Sequence, residues 1–222
     1  MKKFLFILLA TLALSTLFYG CKKAPDYSVY VSELRAYIYQ GESENYHVKA
    51  CYGFKETPFI NDGKVGNTVN LLQLKLIGKE TDSATYTVNF SYNEKTYTEN
   101  FKLNPITNNM ICNLEVDDFN LKEFTICISN AGKNENVILK SVIPENTITY
   151  KTAINSLINS QGALINHYTN ADGIFNAELY IRILIKDNKP YWYIGIASGN
   201  DKLKALLIDG FSGEVLAIRD IF

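Results

Sequence analysis

Histidine and cysteine are the residue types in this chain that most readily do chemistry. His47 and His167 are the two histidines, and each falls on a predicted strand or strand edge. Neither has a second metal ligand at a recognised spacing, and no Cys-x-x-Cys pair occurs. The sequence therefore predicts no metal site, no cofactor and no catalytic site, so the chain is not expected to be an enzyme.

Three cysteines lie in the body of the chain. Cys112 shares its predicted strand face with Met110 and Leu114, whereas Cys51 and Cys127 lie opposite the apolar side chains of their strands. A disulfide across a buried core needs two inward cysteines, so none is predicted there. A Cys51–Cys127 disulfide on an outer face is left open.

Three polar loops resemble catalytic or calcium-binding motifs at first sight. Glu214 follows Gly210-Phe211-Ser212-Gly213 where a nucleophile elbow needs glycine, and the flanking elements are both predicted strands. Asp117-Asp118 and Asn170-Ala171-Asp172-Gly173 lack the ligand series of a calcium loop. All three are therefore interpreted as turns.

A cysteine near the N-terminus carries a different chemistry. Met1-Lys2-Lys3 precedes an uncharged run, Phe4 to Gly20, which ends at Cys21. A basic start and a short apolar run are typical of a secretory signal. Gly20-Cys21 resembles the lipobox of bacterial lipoproteins, which implies cleavage before Cys21 and acylation of its thiol. No pair of small residues suits ordinary signal peptidase near this point, which favours lipidation.

Tyrosine is the enriched residue type that suggests binding, with 15 among 222 residues. Exposed rings stack on sugars or fill pockets in a partner, although tyrosine is also a common strand residue. Tyr37 and Tyr39, and separately Tyr191 and Tyr193, fall opposite or beside the aliphatic side chains of their strands. These two pairs are the predicted binding surfaces.

Composition excludes several classes of protein. The chain is 47% hydrophobic and 20% charged, as expected of a folded protein with a sizeable core. Lys+Arg 22 against Asp+Glu 23 gives a net charge of −1, and no basic stripe stands out. Nucleic acid is therefore not an expected partner.

Hydrophobic periodicity divides the chain into two parts. Residues 28–145 alternate with a period of two, most clearly from Tyr86 to Tyr92, and turn residues separate the runs. This pattern predicts an antiparallel β-sandwich, for which an immunoglobulin-like topology is one option. After Pro144, Thr147 or Thr149 is predicted to cap a helix that ends at Gly162. Further strands then predict a small α+β domain over residues 147–222.

The end of the chain resembles a known family. Tyr191-Trp192-Tyr193-Ile194-Gly195-Ile196 is followed by Ala205-Leu206-Leu207-Ile208-Asp209-Gly210-Phe211-Ser212-Gly213-Glu214-Val215-Leu216. This strand, Asp, turn, Gly, strand pattern after a helix is similar to the PepSY domain. The resemblance implies a non-catalytic module outside the cytoplasmic membrane, of a family associated with inhibiting or chaperoning secreted peptidases or with sensing.

Together these patterns predict an extracytoplasmic bacterial lipoprotein. Its organisation would be a signal peptide (1–20), a lipidated tether (21–27), a β-sandwich (28–145) and a PepSY-like domain (147–222). It would be anchored in the membrane by its N-terminal lipid and would bind a protein or peptide of the envelope. Two alternatives stay open, a cell-wall carbohydrate-binding protein and an envelope hydrolase, because loops can assemble a site from distant residues.

Overall fold

The computed structural model describes residues 25–60, 62–77, 85–199 and 203–221. The predicted signal peptide, Cys21 and the first part of the predicted tether lie outside the described residues. Among the helices that are described, none is long and apolar enough to cross a membrane.

The described chain is mainly β, as predicted. A 3₁₀ turn, Tyr27–Tyr30, leads into nine strands: β1 (Val31–Glu42), β2 (His47–Glu56), β3 (Thr68–Ile77), β4 (Tyr86–Tyr92), β5 (Lys95–Asn100), β6 (Lys102–Asn104), β7 (Asn109–Glu115), β8 (Glu123–Asn130) and β9 (Lys133–Ser141). Then come α1 (Tyr150–Ser160), α2 (Gly162–His167), β10 (Glu178–Lys186), β11 (Lys189–Ala197), β12 (Leu203–Asp209) and β13 (Val215–Ile221).

Alternating side chains explain why these segments are strands. In β4, Tyr86, Val88 and Phe90 are buried, while the residues between them are partly exposed. Burying one face of a pleated strand in this way is favourable, because about 25 cal/mol is gained for each Å² of apolar surface removed from water. The period-two prediction for this segment is confirmed.

The strands form one curled sheet. Its order is β13-β12-β11-β10-β1-β2-β3-β7-β6, and a branch of β9, β8, β4 and β5 joins it at β1. All pairs among β1–β9 are antiparallel, whereas β1 and β10 pair in parallel. One sheet therefore contains strands from both sides of the predicted domain boundary at residues 145–147. The division into two domains at that boundary stays a prediction.

Strand β1 changes partners halfway along its length. Its first half pairs with β10 through Arg35, and its second half pairs with β9 from Tyr39. A register shift relative to β2 lies between Arg35 and Tyr37. Opposite this bulge stands Gly53, where a Cβ atom would overlap the carbonyl oxygen of Leu34. Glycine therefore lets the two backbones approach closely at the bend.

Two hydrophobic clusters lie along the sheet. The N-terminal cluster is enclosed by the curl of β1–β9 and is rich in aromatic rings; Phe119 packs against Phe124 with ring centroids 4.9 Å apart. The C-terminal cluster lies between the helices and one face of β10–β12 and includes Leu157, Ile181 and Ile194. Strand β1 contributes Tyr39 to the first cluster and Leu34 to the second.

The predicted helix forms, but it ends differently from the prediction. The hydroxyl of Thr149 accepts a hydrogen bond from the backbone N–H of Thr152 and caps α1. On the inner side of α1, Ile154 and Leu157 are buried. Gly162, however, begins α2 instead of closing α1 in a left-handed conformation. His167 consequently lies in a helix and not on a strand, so that prediction was wrong.

Two buried carboxylates hold the loop between β2 and β3. Glu178 is 0% exposed, and its Oε1 accepts hydrogen bonds from the backbone N–H groups of Asp62 and Gly63, at 3.2 and 3.1 Å. The Tyr180 hydroxyl donates to Oε2 of Glu178. Burial and the nearby carboxylate raise the pKa of Tyr180, so this hydroxyl keeps its proton. At the other end of the loop, the backbone N–H of Gly66 donates to Glu56.

We predict that Glu178→Gln destabilises the fold. The amide is neutral and has one acceptor oxygen in place of two, so all three donors lose a charged acceptor and at least one of them loses its acceptor oxygen. Hydrogen bonds to charged groups contribute about 1.5–3 kcal/mol each, so we expect a loss of about 2 kcal/mol in the free energy of unfolding. Urea denaturation followed by far-UV circular dichroism measures it.

The matched control is Glu145→Gln. That side chain is 88% exposed and pairs with Lys122, itself 90% exposed, so its loss should change the free energy of unfolding by less than about 1 kcal/mol. Equal midpoints for the two variants would show that the Glu178 carboxylate does not hold the loop.

Candidate functional site

A groove lies where the two hydrophobic clusters meet, and we call it the junction groove. Its volume is about 660 Å³, within the range of ligand pockets in proteins. Tyr37 and Leu121 reach it from the N-terminal cluster, and Ile148, Tyr150 and Trp192 reach it from the C-terminal one. Its walls therefore come from segments far apart in the sequence.

The wall formed by residues 144–149 is held by hydrogen bonds. The indole N–H of Trp192 donates to the carbonyl oxygen of Ile148 at 2.9 Å. The backbone N–H of Ile148 donates to the carbonyl oxygen of Gly210 at 2.8 Å. The Thr147 hydroxyl donates to the carbonyl oxygen of Pro144. These bonds attach the segment before α1 to β11 and to the final hairpin, so the wall is preformed.

Polar groups stand at the rim of the junction groove. The ammonium group of Lys122 lies 3.1 Å from a carboxylate oxygen of Glu145, and Asn120 and Thr149 also line the groove. An apolar floor with a few polar groups at its edge suits a polypeptide segment, since apolar side chains enter the groove and the backbone meets the polar rim.

A second surface is the side of β3, β2, β1, β10, β11, β12 and β13 turned away from the helices, which we call the open face. Directly paired residues share a face, so the registers place Leu71, Gly53, Arg35, Arg182, Tyr193, Leu207 and Ala217 in one row across it. The next row is Val69, Lys55, Glu33, Tyr180, Gly195, Ala205 and Arg219. Both helices pack on the opposite side.

Two arginines and a carboxylate form the centre of the open face. The Arg35 Nε donates to Glu33 at 2.6 Å, and the Arg182 Nη2 lies 3.2 Å from the same carboxylate oxygen. Glu33 is 18% exposed, whereas Arg35 and Arg182 are 37% and 42% exposed. The Nε of Arg182 is buried, and no described residue is its hydrogen-bond partner. One carboxylate thus faces two guanidinium groups, which leaves a local positive charge.

An aromatic groove adjoins these arginines. Arg182, Tyr180, Tyr193 and Phe59 line a space of about 470 Å³. Phe59 stands at the edge because the loop clamped by Glu178 carries it there, and its ring centroid is 5.9 Å from that of Tyr180. The site therefore combines aromatic surface with guanidinium donors.

The structure separates the predicted tyrosine pairs. Tyr37 lines the junction groove, whereas Tyr191 and Tyr193 lie half-buried on the open face. Tyr39 is 0% exposed inside the N-terminal cluster, so its prediction as a binding residue was wrong. The bulge after Arg35 is the physical reason, since one extra residue turns the following side chains of β1 to the other face.

The remaining candidates are held by local contacts. His47 Nδ1 lies 3.5 Å from a carboxylate oxygen of Glu42, and His167 lines a separate polar pocket with Asp62. Asp209 accepts hydrogen bonds from the backbone N–H groups of Phe211 and Ser212, and these bonds lower its pKa. Asn170 accepts from two backbone N–H groups of its loop. The turn interpretation of Ser212 and of the Asn170 loop is confirmed.

Metal ligands do not converge in the part of the chain that is described. No group of three or more His, Cys, Asp or Glu residues is close enough there to hold a metal ion. Asp117 instead accepts a hydrogen bond from the Asn70 amide, and Asp118 occupies a turn with a φ of 51°.

Sequence reasoning missed the arginine cluster. The chain has 19 lysines and only three arginines, Arg35, Arg182 and Arg219, and the registers place all three on the open face. The rarity of arginine was the available signal. Its meaning depends on the parallel pairing of β1 with β10, which spacing along the sequence does not reveal.

Comparisons with known proteins give no relative for this arrangement. A scan against protein-family models found no match, and searches of the curated proteins and of the solved structures found no significant match. The groove and the open face are therefore interpreted from their own geometry.

We predict that the described cysteines differ in reactivity. Cys51, Cys112 and Cys127 are all free thiols, so the outer-face disulfide is not formed. Burial raises the pKa of Cys112 from 9.0 to about 12. At pH 8 the thiolate fraction of Cys112 is then roughly a thousandfold smaller in the folded than in the unfolded chain. Because only the thiolate reacts, alkylation of the folded protein is slowed by the same factor. Iodoacetamide should modify Cys112 only after denaturation, as mass spectrometry of its peptide measures.

Cys127 supplies the internal comparison, because it is half-exposed. It should be modified in the folded protein under the same conditions. Modification of Cys112 as fast as Cys127 would contradict its burial in the N-terminal cluster.

Proposed function

We propose that this protein is an extracytoplasmic, lipid-anchored and non-catalytic module that binds a protein or peptide of the bacterial envelope. The junction groove is the observation that carries the binding function. It is preformed, mostly apolar and rimmed by polar groups, and its size suits two or three side chains of an extended segment.

The export signal and Gly20-Cys21 support the location. Acylation of the Cys21 thiol contributes about 0.8 kcal/mol of membrane affinity for each buried methylene, so several acyl chains make a stable anchor. The first described strand starts at Val31, so a short tether, 21–27, would hold the fold close to the lipid surface.

The finer fold assignments belong to the same proposal. The N-terminal strands are interpreted as a sandwich-like unit around their own cluster, and residues 147–222 as a PepSY-like unit. Helix α1 followed by antiparallel β10–β13, with Asp209 capping the last turn, supports that resemblance. It implies that the bound protein is a secreted peptidase under regulation, or that binding reports the state of the envelope.

Of the two alternatives, the hydrolase has a specific observation in its favour. His167 and Asp62 line one polar pocket of about 410 Å³, together with Ser198. Hydrolysis of an envelope substrate that His167→Ala abolishes, with groove binding unchanged, would establish that alternative. For a carbohydrate-binding surface, burial of Tyr39 removes one of the four tyrosine rings predicted to bind.

We predict that peptides binding the junction groove change the fluorescence of Trp192. It is the only tryptophan in the chain, and its ring lines the groove. Titration with extended peptides that carry Leu or Phe at alternate positions should give a saturable change in emission. Leu121→Glu places a charge in the groove wall and should raise the Kd at least about tenfold, a change of about 1.4 kcal/mol.

The control for this titration is Ile138→Glu. Ile138 is 50% exposed on β9 and does not line the groove, so the Kd should stay unchanged. If no such peptide gives a saturable change, or if both variants bind equally, the groove is not the binding site.

We predict that Cys21→Ser abolishes lipid attachment. Serine lacks the thiol that is acylated, so cells fed a labelled fatty acid should label the wild-type protein and not the variant. Fractionation should recover the wild-type protein with membranes. Cys127→Ser is the matched control and should label like the wild type; equal label in Cys21→Ser would remove the anchor from the proposal.

A further inference from the structure

The open face is basic in a chain whose net charge is −1. Its strands carry more cations than anions, and paired registers place them on the same side. The cations are Arg35, Lys49, Lys55, Lys75, Arg182, Lys186, Lys189 and Arg219, and the anions are Glu33, Glu42, Glu178 and Asp209, with Glu115 beside them on β7. This distribution makes the face attractive to a negatively charged partner.

The arginines at its centre have donors to spare. Arg35 contacts Glu33 through Nε, and Arg182 does so through Nη2. Both side chains are more than a third exposed, so other nitrogens of their guanidinium groups can reach a ligand. Planar guanidinium groups bind carboxylates through paired hydrogen bonds, which are stronger than bonds between neutral groups.

The aromatic groove lies beside one of these donors. Phe59, Tyr180 and Tyr193 line it next to Arg182 and Glu33, and Ala197 and Leu203 complete its lining. A ligand lying across the strands thus meets aromatic surface and guanidinium groups together.

We infer that the open face binds an acidic segment of a partner polypeptide, with carboxylates paired to Arg35 and Arg182 and an adjacent side chain against Phe59, Tyr180 and Tyr193. The inference goes beyond the proposed function, because the open face is a second surface. Trp192 lies on the opposite side of β11 from Tyr193, so binding at the junction groove and binding here can fail independently.

The observations favour a polypeptide over other anions. A lipid surface or a nucleic acid needs an array of exposed positive charges, which lysine provides as well as arginine. Here both central cations are arginines although lysine is far commoner in the chain, and a carboxylate, Glu33, already occupies part of the site. The ion pairs of Glu33 with Arg35 and Arg182 are thus an example, within this chain, of the carboxylate–guanidinium pairing that the partner would make.

The experiment measures binding of a short fluorescein-labelled peptide in which Glu alternates with Ser. The full chain in neutral detergent is titrated into it, and fluorescence anisotropy gives the Kd. A twin peptide with Gln in place of each Glu tests the charge requirement. Micelles doped with phosphatidylglycerol and a single-stranded oligonucleotide are added as competitors to test the other anions.

The main variant is Glu33→Gln/Arg35→Gln/Arg182→Gln, which lowers the net charge by one and leaves no unpaired carboxylate at the centre. Its matched control is Lys151→Gln, which lowers the net charge equally at an exposed position of α1. Arg35→Lys/Arg182→Lys keeps the charge and removes the planar fork. Far-UV circular dichroism and urea denaturation check that each variant is folded.

We expect the Glu peptide to bind at least about tenfold more tightly than the Gln peptide, and the affinity to fall at high salt. The triple Gln variant should lose about tenfold in affinity, the Lys variant about threefold, and the control less than twofold. Equal binding of the two peptides, equal loss in the triple variant and the control, or wild-type affinity in the Lys variant would each overturn the inference. So would phosphatidylglycerol or the oligonucleotide binding more tightly than the Glu peptide.

Discussion

The backbone hydrogen bonds of β1 are the interaction on which the rest of the structure depends. Its first half binds β10 in parallel, its second half binds β9, and β2 lies along its other side. A strand that ended at the bulge after Arg35 would still join β10 to β2, but it would lose β9 and with it the branch of β8, β4 and β5. Because β1 continues, one sheet serves both clusters, and each cluster fixes the position of the other.

Both candidate surfaces follow from this shared strand. At the bulge, Tyr37 turns toward the inner side and meets Trp192 and Tyr150 across the junction groove. Just before the bulge, the side chains of Glu33 and Arg35 remain on the open face and meet Arg182. The bulge in β1 thus places Tyr37 in the apolar junction groove and Arg35 on the basic open face, although the two residues are close in sequence.

Local patterns in the sequence predicted the elements better than the sites. Alternation predicts β4, and Thr149, which caps α1, is one of the two residues predicted to do so, because each signal lies within one segment. The burial of Tyr39 was missed because a bulge reverses the alternation and leaves no mark in residue types. The clamp by Glu178 was missed because its donors, Asp62 and Gly63, are backbone groups far away in the sequence. The same reason hid the arginine cluster, since β1 and β10 are joined only by the fold.

The parallel pair of β1 and β10 also sets the order in which the molecule can fold. Strand β1 is the first strand in the described part of the chain, and its parallel partner β10 follows both helices, so most of the polypeptide must exist before the two can meet. Contacts of such long sequence separation slow folding, because the entropy of closing the intervening chain is lost before the contact forms. A nascent or truncated chain that stops before Glu178 therefore exposes one edge of β1, with Val31 and Leu34 uncovered. Pairing with β10 is the step that removes this unpaired, aggregation-prone strand edge from solvent.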